Sequence, residues 1–308
     1  MVHIDEATVR QLLPMSKAID LLAGAFRDFG AGAAQSQPRR RLSLPSGAVL
    51  HQMAGAHGAY FGTKIYSTHP QHGAWFVFLL YDAKTAMPLA LLDANWLGQI
   101  RTGAASGLAT RGLARPEAQT VAVLGSGFQA ASQLEAVLAV RPIRAISVWS
   151  RSLDKAQAFA RNYPNAAAMP TVEAALVDAD IVITATTAKD PLFPAELIRP
   201  GTHINAVGSN SPSRRELPPE LIHRAGQIVV DAVDQARSEA GDLLLSLAPE
   251  DWNRVRPLAD EPRRESGEAI TIFKSVGIGL EDVAAGAWVY EQALAQGRVG
   301  PLPLFAAG

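Results

Sequence analysis

The stretch TVAVLGSGFQA, residues 120–130, decides the fold, because an apolar strand pattern runs into a glycine-rich turn that opens a helical pattern. In this G-x-G-x-x-A motif Gly125 permits the tight turn, Gly127 lets a pyrophosphate approach the backbone, and Ala130 lets the helix pack closely on the strand. Free N–H groups and the positive dipole end at the helix N-terminus attract phosphate. The motif therefore predicts dinucleotide binding rather than an ordinary tight loop. Its predicted cofactor-binding residues are Gly125, Ser126, Gly127, Phe128, Gln129 and Ala130.

Around this motif, short apolar strand patterns alternate with helical patterns, as in AISVWS, DIVITAT, THINAVG and QIVVDA. Repeated β–α alternation is typical of parallel strands with helices on both faces of the sheet. The sequence therefore predicts an α/β fold with a Rossmann-type, doubly wound parallel sheet over residues 118–278.

The segments on either side of this region have a different pattern. Two helical patterns open the chain, the second with Ser16 as its predicted N-cap, and strand patterns follow, with DAKTAMP at residues 82–88 as a hairpin turn. A last helix, from about residue 280 to 296, is too short to form a domain alone. We expect residues 1–117 and 279–308 to form a second α/β domain around an antiparallel sheet.

Composition excludes several classes of protein. The 308 residues are 48% hydrophobic, which is enough to bury the cores of two domains, and the net charge of -1 provides no basic field for nucleic acid or an anionic membrane. No uncharged apolar run approaches the ~20 residues of a membrane span, and no signal-peptide pattern opens the chain. The absence of cysteine excludes disulfides and thiolate sites and favours a cytoplasmic location.

Histidines offer a competing site, since His69 and His72 lie close together in THPQHG and His51 and His57 are nearby. With neither a cysteine nor a helical H-E-x-x-H pattern, this spacing does not specify a metal ion. We therefore predict no metal site.

The end of the second strand of the central region, AISVWSRS, bears on which dinucleotide binds. NAD-specific enzymes usually place a carboxylate there to bind the ribose 2′-hydroxyl. This sequence has Ser150, Arg151 and Ser152 instead, and two hydroxyls with a guanidinium suit a 2′-phosphate. These residues favour NADP(H) over NAD(H), with a solvated loop arginine as the alternative for Arg151.

Six segments, in order along nearly the whole chain, make it similar to a known family: G-T-K at 62–64, Q-I-R-T-G-A-A-S at 99–106, G-S-G-F-Q-A at 125–130, H-I-N-A-V-G-S-N at 203–210, R-R-E-L at 214–217 and K-S-V-G at 274–277. The chain resembles the ornithine cyclodeaminase/mu-crystallin family. The resemblance implies a homodimer whose N-terminal domain, completed by the C-terminal helix, forms the subunit interface and half of the active site. It also implies a nicotinamide cofactor and a small amino-acid or imino-acid substrate.

The resemblance also assigns residues to the substrate. Lys64 matches the family lysine near the reacting nitrogen and carboxylate, where a desolvated amine can also move a proton at neutral pH. Arg101 matches the arginine that clamps the substrate carboxylate, a role that suits its planar fork of donors. The alternative interpretation of Lys64 is a solvent-exposed lysine on an edge strand, and that of Arg101 is an ion pair on a helix surface.

A further family arginine falls within the triplet Arg39, Arg40 and Arg41. Counting back from Met53, which matches a pocket methionine, favours Arg40 for the substrate, with Arg41 second. Because side chains alternate along a strand, only one register can serve the site.

The remaining cofactor contacts follow from the same resemblance. The nicotinamide is expected between Thr186, the backbone of residues 207–209 and Val276. These predicted contacts are Thr102, Thr186, Val207, Gly208, Ser209 and Val276.

Asn210 stands where cyclodeaminases of the family carry an aspartate that acts as a base in ring closure, so Lys64 and Asn210 are the predicted catalytic positions. An amide cannot accept that proton, whereas imine reduction needs only carboxylate clamps, one proton donor and a hydride. The sequence therefore favours an NAD(P)H-dependent reductase of a cyclic ketimine such as pyrroline- or piperideine-2-carboxylate. The alternatives are an ornithine cyclodeaminase, an alanine dehydrogenase-like enzyme and a small-molecule binding protein, although the intact Lys64 and Arg101 favour catalysis.

Overall fold

A computed structural model describes residues 1–303 of the chain. The chain divides into two compact units, which are Met1–Arg101 with Gly277–Gly308, and Thr102–Val276. No helix among residues 1–303 is both long and apolar enough to cross a membrane.

The strands, in chain order, are β1 (Val2–Ile4), β2 (Ala34–Ser36), β3 (Arg40–Ser43), β4 (Val49–His57), β5 (Tyr60–His69), β6 (Gly73–Asp82), β7 (Pro88–Asp93), β8 (Thr120–Leu124), β9 (Ala145–Trp149), β10 (Ala166–Ala168), β11 (Ile181–Thr184), β12 (His203–Ala206), β13 (Gln227–Val230), β14 (Val255–Pro257), β15 (Thr271–Lys274) and β16 (Gly300–Pro301). The α-helices are α1 (Glu6–Leu12), α2 (Met15–Gly30), α3 (Asn95–Leu113), α4 (Phe128–Val140), α5 (Leu153–Ala160), α6 (Val172–Leu176), α7 (Pro219–Arg224), α8 (Val233–Glu239), α9 (Gly241–Leu244) and α10 (Gly279–Ala295). Short 3-10 helices cover Ala195–Leu197, Pro249–Arg254 and Leu258–Asp260.

The first unit is built on a sheet with the strand order β16-β1-β7-β6-β5-β4-β2, in which β3 also pairs with β4. Its pairs are antiparallel except β1 with β7, as the sequence predicted for this region. The predicted hairpin turn between β6 and β7 is confirmed, because Asp82 Oδ1 accepts hydrogen bonds from Lys84 N and Thr85 N at 3.0 and 2.7 Å.

Helix α10 packs against β4, β5 and β6 on one face of this sheet. The approach is close, because a Cβ at Gly55 would come within 3 Å of the backbone of Gly279 and Leu280. Met53 and Phe78 are buried on this face. This close backbone contact therefore fixes the position of the first turn of α10 on the sheet.

The start of α2 differs from the prediction. The helix begins at Met15 with Pro14 at the N-cap, and no side chain caps it, so the predicted N-cap Ser16 was wrong and lies in the first turn. Proline disfavours helical backbone at the residue before it, which is Leu13. The boundary is thus set by Pro14 rather than by a hydroxyl cap.

The second unit is a sheet in the order β10-β9-β8-β11-β12-β15-β13-β14, and every pair in it is parallel. This confirms the predicted α/β class with a doubly wound parallel sheet. The chain runs outward from β8 to β10 and then returns to β11 on the other side of β8. In such sheets the crevice at this reversal, outside the carboxyl ends of the strands, is where ligands bind.

The boundaries of the units differ from the predicted ones at 117/118 and 278/279, since the chain divides within α3, after Arg101, and again after Val276. The C-terminal end of α3 is held in the second unit by Arg141, whose guanidinium donates to the carbonyl oxygens of Thr110 and Ala114 at 2.9 and 2.8 Å. The polar, proline-containing segment after α3 therefore does not mark the boundary. The hydrogen bonds at the C-terminal end of α3 keep that end in the second unit.

Candidate functional site

The turn between β8 and α4 has the geometry that a pyrophosphate requires. Gly125 has φ of +120°, and a Cβ there would collide with the carbonyl of Ala185, so only glycine fits. A Cβ at Gly127 would meet no atom within 4 Å, so this backbone is open to a ligand. No side chain caps the N-terminus of α4. Its first N–H groups, with the helix dipole, can therefore bind an anion.

A cavity of about 360 Å³ lies beside this turn, at the carboxyl ends of β8, β9 and β11. Its lining includes six of the predicted cofactor residues: Gly125, Ser126, Gly127, Ser150, Arg151 and Thr186. It also includes Lys155 in α5, which the sequence analysis missed and which a search one helical turn beyond Ser152 would have found. Among its described lining residues are two cations and no carboxylate.

Nine predicted cofactor residues stand apart from this lining, and four of them belong to the starts of α4 and α5. Phe128 opens α4 and is 53% exposed, Gln129 follows it half-buried, and Ala130 is fully buried where the helix packs on the sheet. Ser152 is the N-cap of α5, since its side chain accepts a hydrogen bond from Lys155 N at 3.4 Å. Ser152 therefore has a structural role in this structure that the sequence analysis did not consider.

The predicted nicotinamide contacts lie at the carboxyl ends of β11, β12 and β15. The buried carboxylate of Glu216 joins two of these segments, accepting hydrogen bonds from Thr186 N at 2.7 Å and from Gly208 N at 2.8 Å. Burial raises the pKa of Glu216. Val276 N donates to Asp231 Oδ2 at 2.5 Å. Glu216, from the R-R-E-L segment, thus holds the loops that the sequence assigned to the cofactor.

A buried ion pair between Lys274 and Asp242 holds the residues next to these loops. Lys274, from the K-S-V-G segment, lies 2.9 Å from Asp242 Oδ2 and donates to the carbonyl of Ser209 at 2.6 Å. Val207 is half-buried, Asn210 is exposed beyond Ser209, and Thr102 is half-buried in α3. The sequence analysis gave Lys274 and Glu216 only as motif letters, and their burial explains why those motif positions are charged.

The first unit contains a buried cluster of four charged residues, which we call the charge cluster: Lys64, Arg101, Glu281 and Asp282. Lys64 Nζ donates to Asp282 Oδ1 at 2.9 Å, and Arg101 Nε donates to the same oxygen at 3.0 Å. Arg101 Nη1 donates to Glu281 Oε2 at 2.6 Å. The structure thus brings together the lysine and the arginine predicted to bind substrate. The two carboxylates were missed, although Glu-Asp in the apolar first turn of α10 is a visible signal.

The pKa of Lys64 is lowered to about 7, mainly by burial and also by the positive charges of Arg101 and Arg39, while Asp282 acts in the opposite direction and raises it. Lys64 is 2% exposed and Asp282 is fully buried. An amine with a pKa near neutrality can give up and regain a proton under physiological conditions. The charge cluster can therefore supply a proton beside a planar guanidinium.

The arginine triplet requires a correction. Cross-strand partners share a face, and Arg40 pairs with Gln52, whereas Met53 pairs with Lys64. Arg40 therefore points away from the face that carries Met53 and Lys64. Arg39 lies on the Lys64 face and donates to the carbonyl of Gly277 at 3.3 Å. By this register the first choice, Arg40, lies on the other face of the sheet from Lys64, whereas the second choice, Arg41, pairs with His51 and shares the Lys64 face with Arg39.

His51 lies on the same face, opposite Arg41 across the strand pair, and was not predicted as a site residue. Its ring stacks on Tyr66 at 4.2 Å, and its Nε2 lies 3.0 Å from Thr68 Oγ1. Burial and the charges of Arg41 and Arg39 lower the pKa of His51 to about 4, so its imidazole is neutral at pH 7.

The other histidines show no metal geometry. The rings of His69 and His72 are 4.5 Å apart, and His69 Nδ1 accepts a hydrogen bond from Gln71 N. No three metal-ligating side chains cluster anywhere in residues 1–303.

Comparisons with known proteins give a consistent result. Residues 2–297 match the model of the ornithine cyclodeaminase/mu-crystallin family. The chain is 34% identical to a delta(1)-pyrroline-2-carboxylate reductase of Bacillus cereus, over 96% of this chain and 98% of the relative. The structure of Thermococcus litoralis delta(1)-pyrroline-2-carboxylate reductase in complex with NADH and L-proline superposes with a TM-score of 0.94 at 30% identity, covering 98% of this chain and 100% of that one. An archaeal alanine dehydrogenase dimer with bound NAD gives 0.92 at 30% identity, with 99% of each chain covered.

Proposed function

The chain belongs to the ornithine cyclodeaminase/mu-crystallin family, and from this premise we propose that it reduces a small cyclic ketimine to the L-amino acid, with hydride from a nicotinamide cofactor. The proposed substrates are pyrroline-2-carboxylate and piperideine-2-carboxylate. The observation that carries this proposal is the charge cluster, in which a lysine with a pKa of about 7 lies beside an arginine fork. A carboxylate clamp and a proton donor are what imine reduction requires of a protein.

Each side chain has a separate task in this reaction. Arg101 binds the substrate carboxylate through guanidinium N–H groups other than the two that donate to Asp282 and Glu281, and Lys64 gives a proton to the imine nitrogen. The hydride for the C=N carbon would come from a nicotinamide cofactor held at the glycine turn and the adjoining loops. Proton and hydride together convert the imine to the amine, and the burial of Lys64 and Arg101 keeps water away from the charges that guide the substrate.

The position of Asn210 separates this reaction from cyclodeamination. Ring closure with loss of ammonia requires several proton transfers, and an exposed amide provides no base for them. Reduction of a preformed imine requires one proton. Asn210 therefore supports the reductase over the cyclodeaminase.

The second candidate is an amino-acid dehydrogenase that reduces an open-chain imine formed from a 2-oxo acid and ammonia. It is favoured by the similarity to the archaeal alanine dehydrogenase over the whole chain. The same clamp and proton donor would serve it, since the carboxylate and imine carbon of the two substrates are equivalent. The two proposed substrates differ only in that one is a cyclic imine and the other is an open-chain imine.

For the cofactor we propose NADP(H) in preference to NAD(H). Arg151 and Lys155 line the cavity beside the glycine turn, and no described lining residue is acidic. Two cations can bind the additional phosphate of NADP(H), and no carboxylate repels it.

We also propose that two copies associate through the sheet of the first unit, on the face that α10 does not cover. Leu50, Ile65 and Val77 share this face, where Leu50 is 38% exposed and Ile65 and Val77 are half-buried. Trp75, also on it, is 72% exposed. A contiguous apolar sheet face of this kind is typical of a self-association surface.

The lack of cysteine fits a cytoplasmic protein.

The proposed function is tested by following NADPH oxidation with pyrroline-2-carboxylate and piperideine-2-carboxylate, with NADH in parallel. Pyruvate with ammonia tests the dehydrogenase, and ammonia release from L-ornithine tests the cyclodeaminase. Rapid NADPH consumption with a cyclic imine and no ammonia from ornithine supports the reductase. Ammonia release without net cofactor turnover would overturn it.

A further inference from the structure

Asp282 occupies an unusual position in the charge cluster. It lies in the first turn of α10 and is fully buried, and one of its oxygens, Oδ1, accepts hydrogen bonds from both Lys64 and Arg101. Its other oxygen, Oδ2, is buried with no hydrogen-bond partner in the described part of the chain. The carboxylate of Asp282 therefore forms ion pairs with two cations, Lys64 and Arg101.

We propose that Asp282 is a positioning residue that keeps Lys64 protonated and fixes its distance from Arg101, a role that rests on the reduction proposed above. The shared oxygen holds Lys64 Nζ and Arg101 Nε no more than about 6 Å apart, because each lies at hydrogen-bond distance from it. A proton donor and a carboxylate clamp held at this spacing can engage two ends of the same small imino acid.

The charges around Lys64 explain why such a residue is needed. Arg101 from α3 and Arg39 from the segment before β3 both disfavour a proton on Lys64, and burial does so more strongly than either. The carboxylate of Asp282 opposes all three effects. Without it, Lys64 would be a neutral amine at pH 7 and could not give up a proton.

Glu281 is the neighbouring residue and provides a matched control. It is equally buried and also contacts Arg101, whereas the carboxylate that accepts the hydrogen bond of Lys64 and raises its pKa is that of Asp282. Its other oxygen accepts a hydrogen bond from Ile278 N at 3.3 Å and so caps α10. The two carboxylates thus differ in one respect that can be measured, which is their effect on the proton of Lys64.

The experiment compares the pH dependence of kcat/KM for pyrroline-2-carboxylate reduction in wild type, Asp282→Asn and Glu281→Gln. In Asp282→Asn we expect the alkaline limb to move down by about one pH unit or more, with roughly tenfold or greater loss of kcat at pH 7.5, since each unit of pKa is tenfold in protonation. In Glu281→Gln we expect a raised KM and an unmoved limb. Asp282→Glu, which keeps the charge, should restore the position of the limb.

A second measurement is independent of turnover. NMR of ¹⁵Nζ-labelled lysine reports the pKa of Lys64 directly, with Lys64→Met to assign the signal. A lower pKa in Asp282→Asn supports the proposal, and an unchanged pKa and limb would overturn it. If Asp282→Asn does not fold, Asp282→Ser is compared with Glu281→Ser, since both remove the negative charge, and a Lys64 pKa that falls equally in both variants contradicts the proposal. Wild-type protein that reduces none of the cyclic imines would refute the proposed function instead, while the NMR titration would still test Asp282.

Discussion

At the scale of single residues, Lys64 has the environment of a proton donor rather than of a surface lysine. Replacing it with alanine should lower kcat by about 10²-fold or more, the usual contribution of a positioned acid, while NADPH affinity stays within about twofold. Steady-state kinetics and a fluorescence titration with NADPH separate these two effects. Lys84→Ala, in the exposed turn after β6, is the control, and undiminished turnover in Lys64→Ala would remove Lys64 from the mechanism.

The pH profile of the wild-type enzyme follows from the same residue. Lys64 acts as an acid, so the protonated form is the active one and is lost as the pH rises through its pKa of about 7. We therefore expect kcat/KM to be constant on the acid side of this value and to fall about tenfold per pH unit above it. A profile that rises through pH 7 and 8 would show that Lys64 is needed as a base.

Arg151 tests the proposed preference for NADP(H). Arg151→Ala should raise the KM for NADPH by about 10- to 100-fold, the effect of losing a hydrogen bond of about 1.5–3 kcal/mol to a charged group. The KM for NADH should change much less, because NADH lacks the 2′-phosphate. Arg144→Ala, just before the opposite end of β9, controls for loss of positive charge. Equal effects on both cofactors would contradict a phosphate contact.

Residues of the glycine turn could be predicted from spacing alone, because the backbone of that turn accepts so few residue types. The arginines that share the face of Lys64 could not, since a shift of one residue along β3 reverses every side chain and the sequence does not show where pairing with β4 begins. Asp282 was missed for a different reason. Its partners, Lys64 and Arg101, are distant in sequence, and only the packing of α10 on the sheet brings them together.

At the scale of elements, His203 ties β12 to its neighbour. Its ring lies 2.9 Å from Thr271 Oγ1 of β15 and 3.2 Å from Asn205 Oδ1, and Asn205 donates to Thr110 Oγ1 in α3. Burial lowers the pKa of His203 to about 3. The folded protein therefore holds this imidazole neutral between these strands.

This burial predicts a dependence of stability on pH. The unfolded chain protonates His203 below its ordinary pKa of about 6.5, whereas the folded chain does so only near 3, so stability falls as the pH drops between these values. The loss from this group is on the order of 3 kcal/mol by pH 4. Unfolding in urea at pH 7 and pH 4 should show a smaller difference for His203→Gln than for wild type or His72→Gln. Parallel losses in all three would exclude His203 as the source.

Element positions were predictable where local chemistry decides them. The turn after β6 is an example, because Asp82 satisfies two backbone N–H groups within three residues of itself. The start of α2 was not, because a hydroxyl near a helix start and a proline before it give competing signals, and the steric restriction from proline prevails.

At the scale of the whole molecule, periodicity was sufficient to predict a parallel sheet and an antiparallel one, but not the place where the chain divides. α3 is a single regular helix from Asn95 to Leu113, and its sequence does not change in character at Arg101. The division depends on which residues its two ends contact, such as Arg141 at the C-terminal end. Such contacts between distant segments have no local signature.

The sheet face opposite α10 provides the prediction at this scale. Ile65 and Val77 are paired across β5 and β6 on that face, so the double variant Ile65→Asp, Val77→Asp places two charges at the centre of the proposed dimer contact without altering the α10 side. Burying unpaired carboxylates costs several kcal/mol, enough to dissociate the dimer at micromolar concentration. Light scattering should give twice the 32.7 kDa chain mass for wild type and the single mass for the variant. Val177→Asp, at a 68% exposed apolar residue of the second unit, should leave the dimer intact. A monomeric wild type would exclude the proposed dimer. A double variant that keeps the dimer mass would place the contact on another surface, because both substitutions lie at the centre of this face.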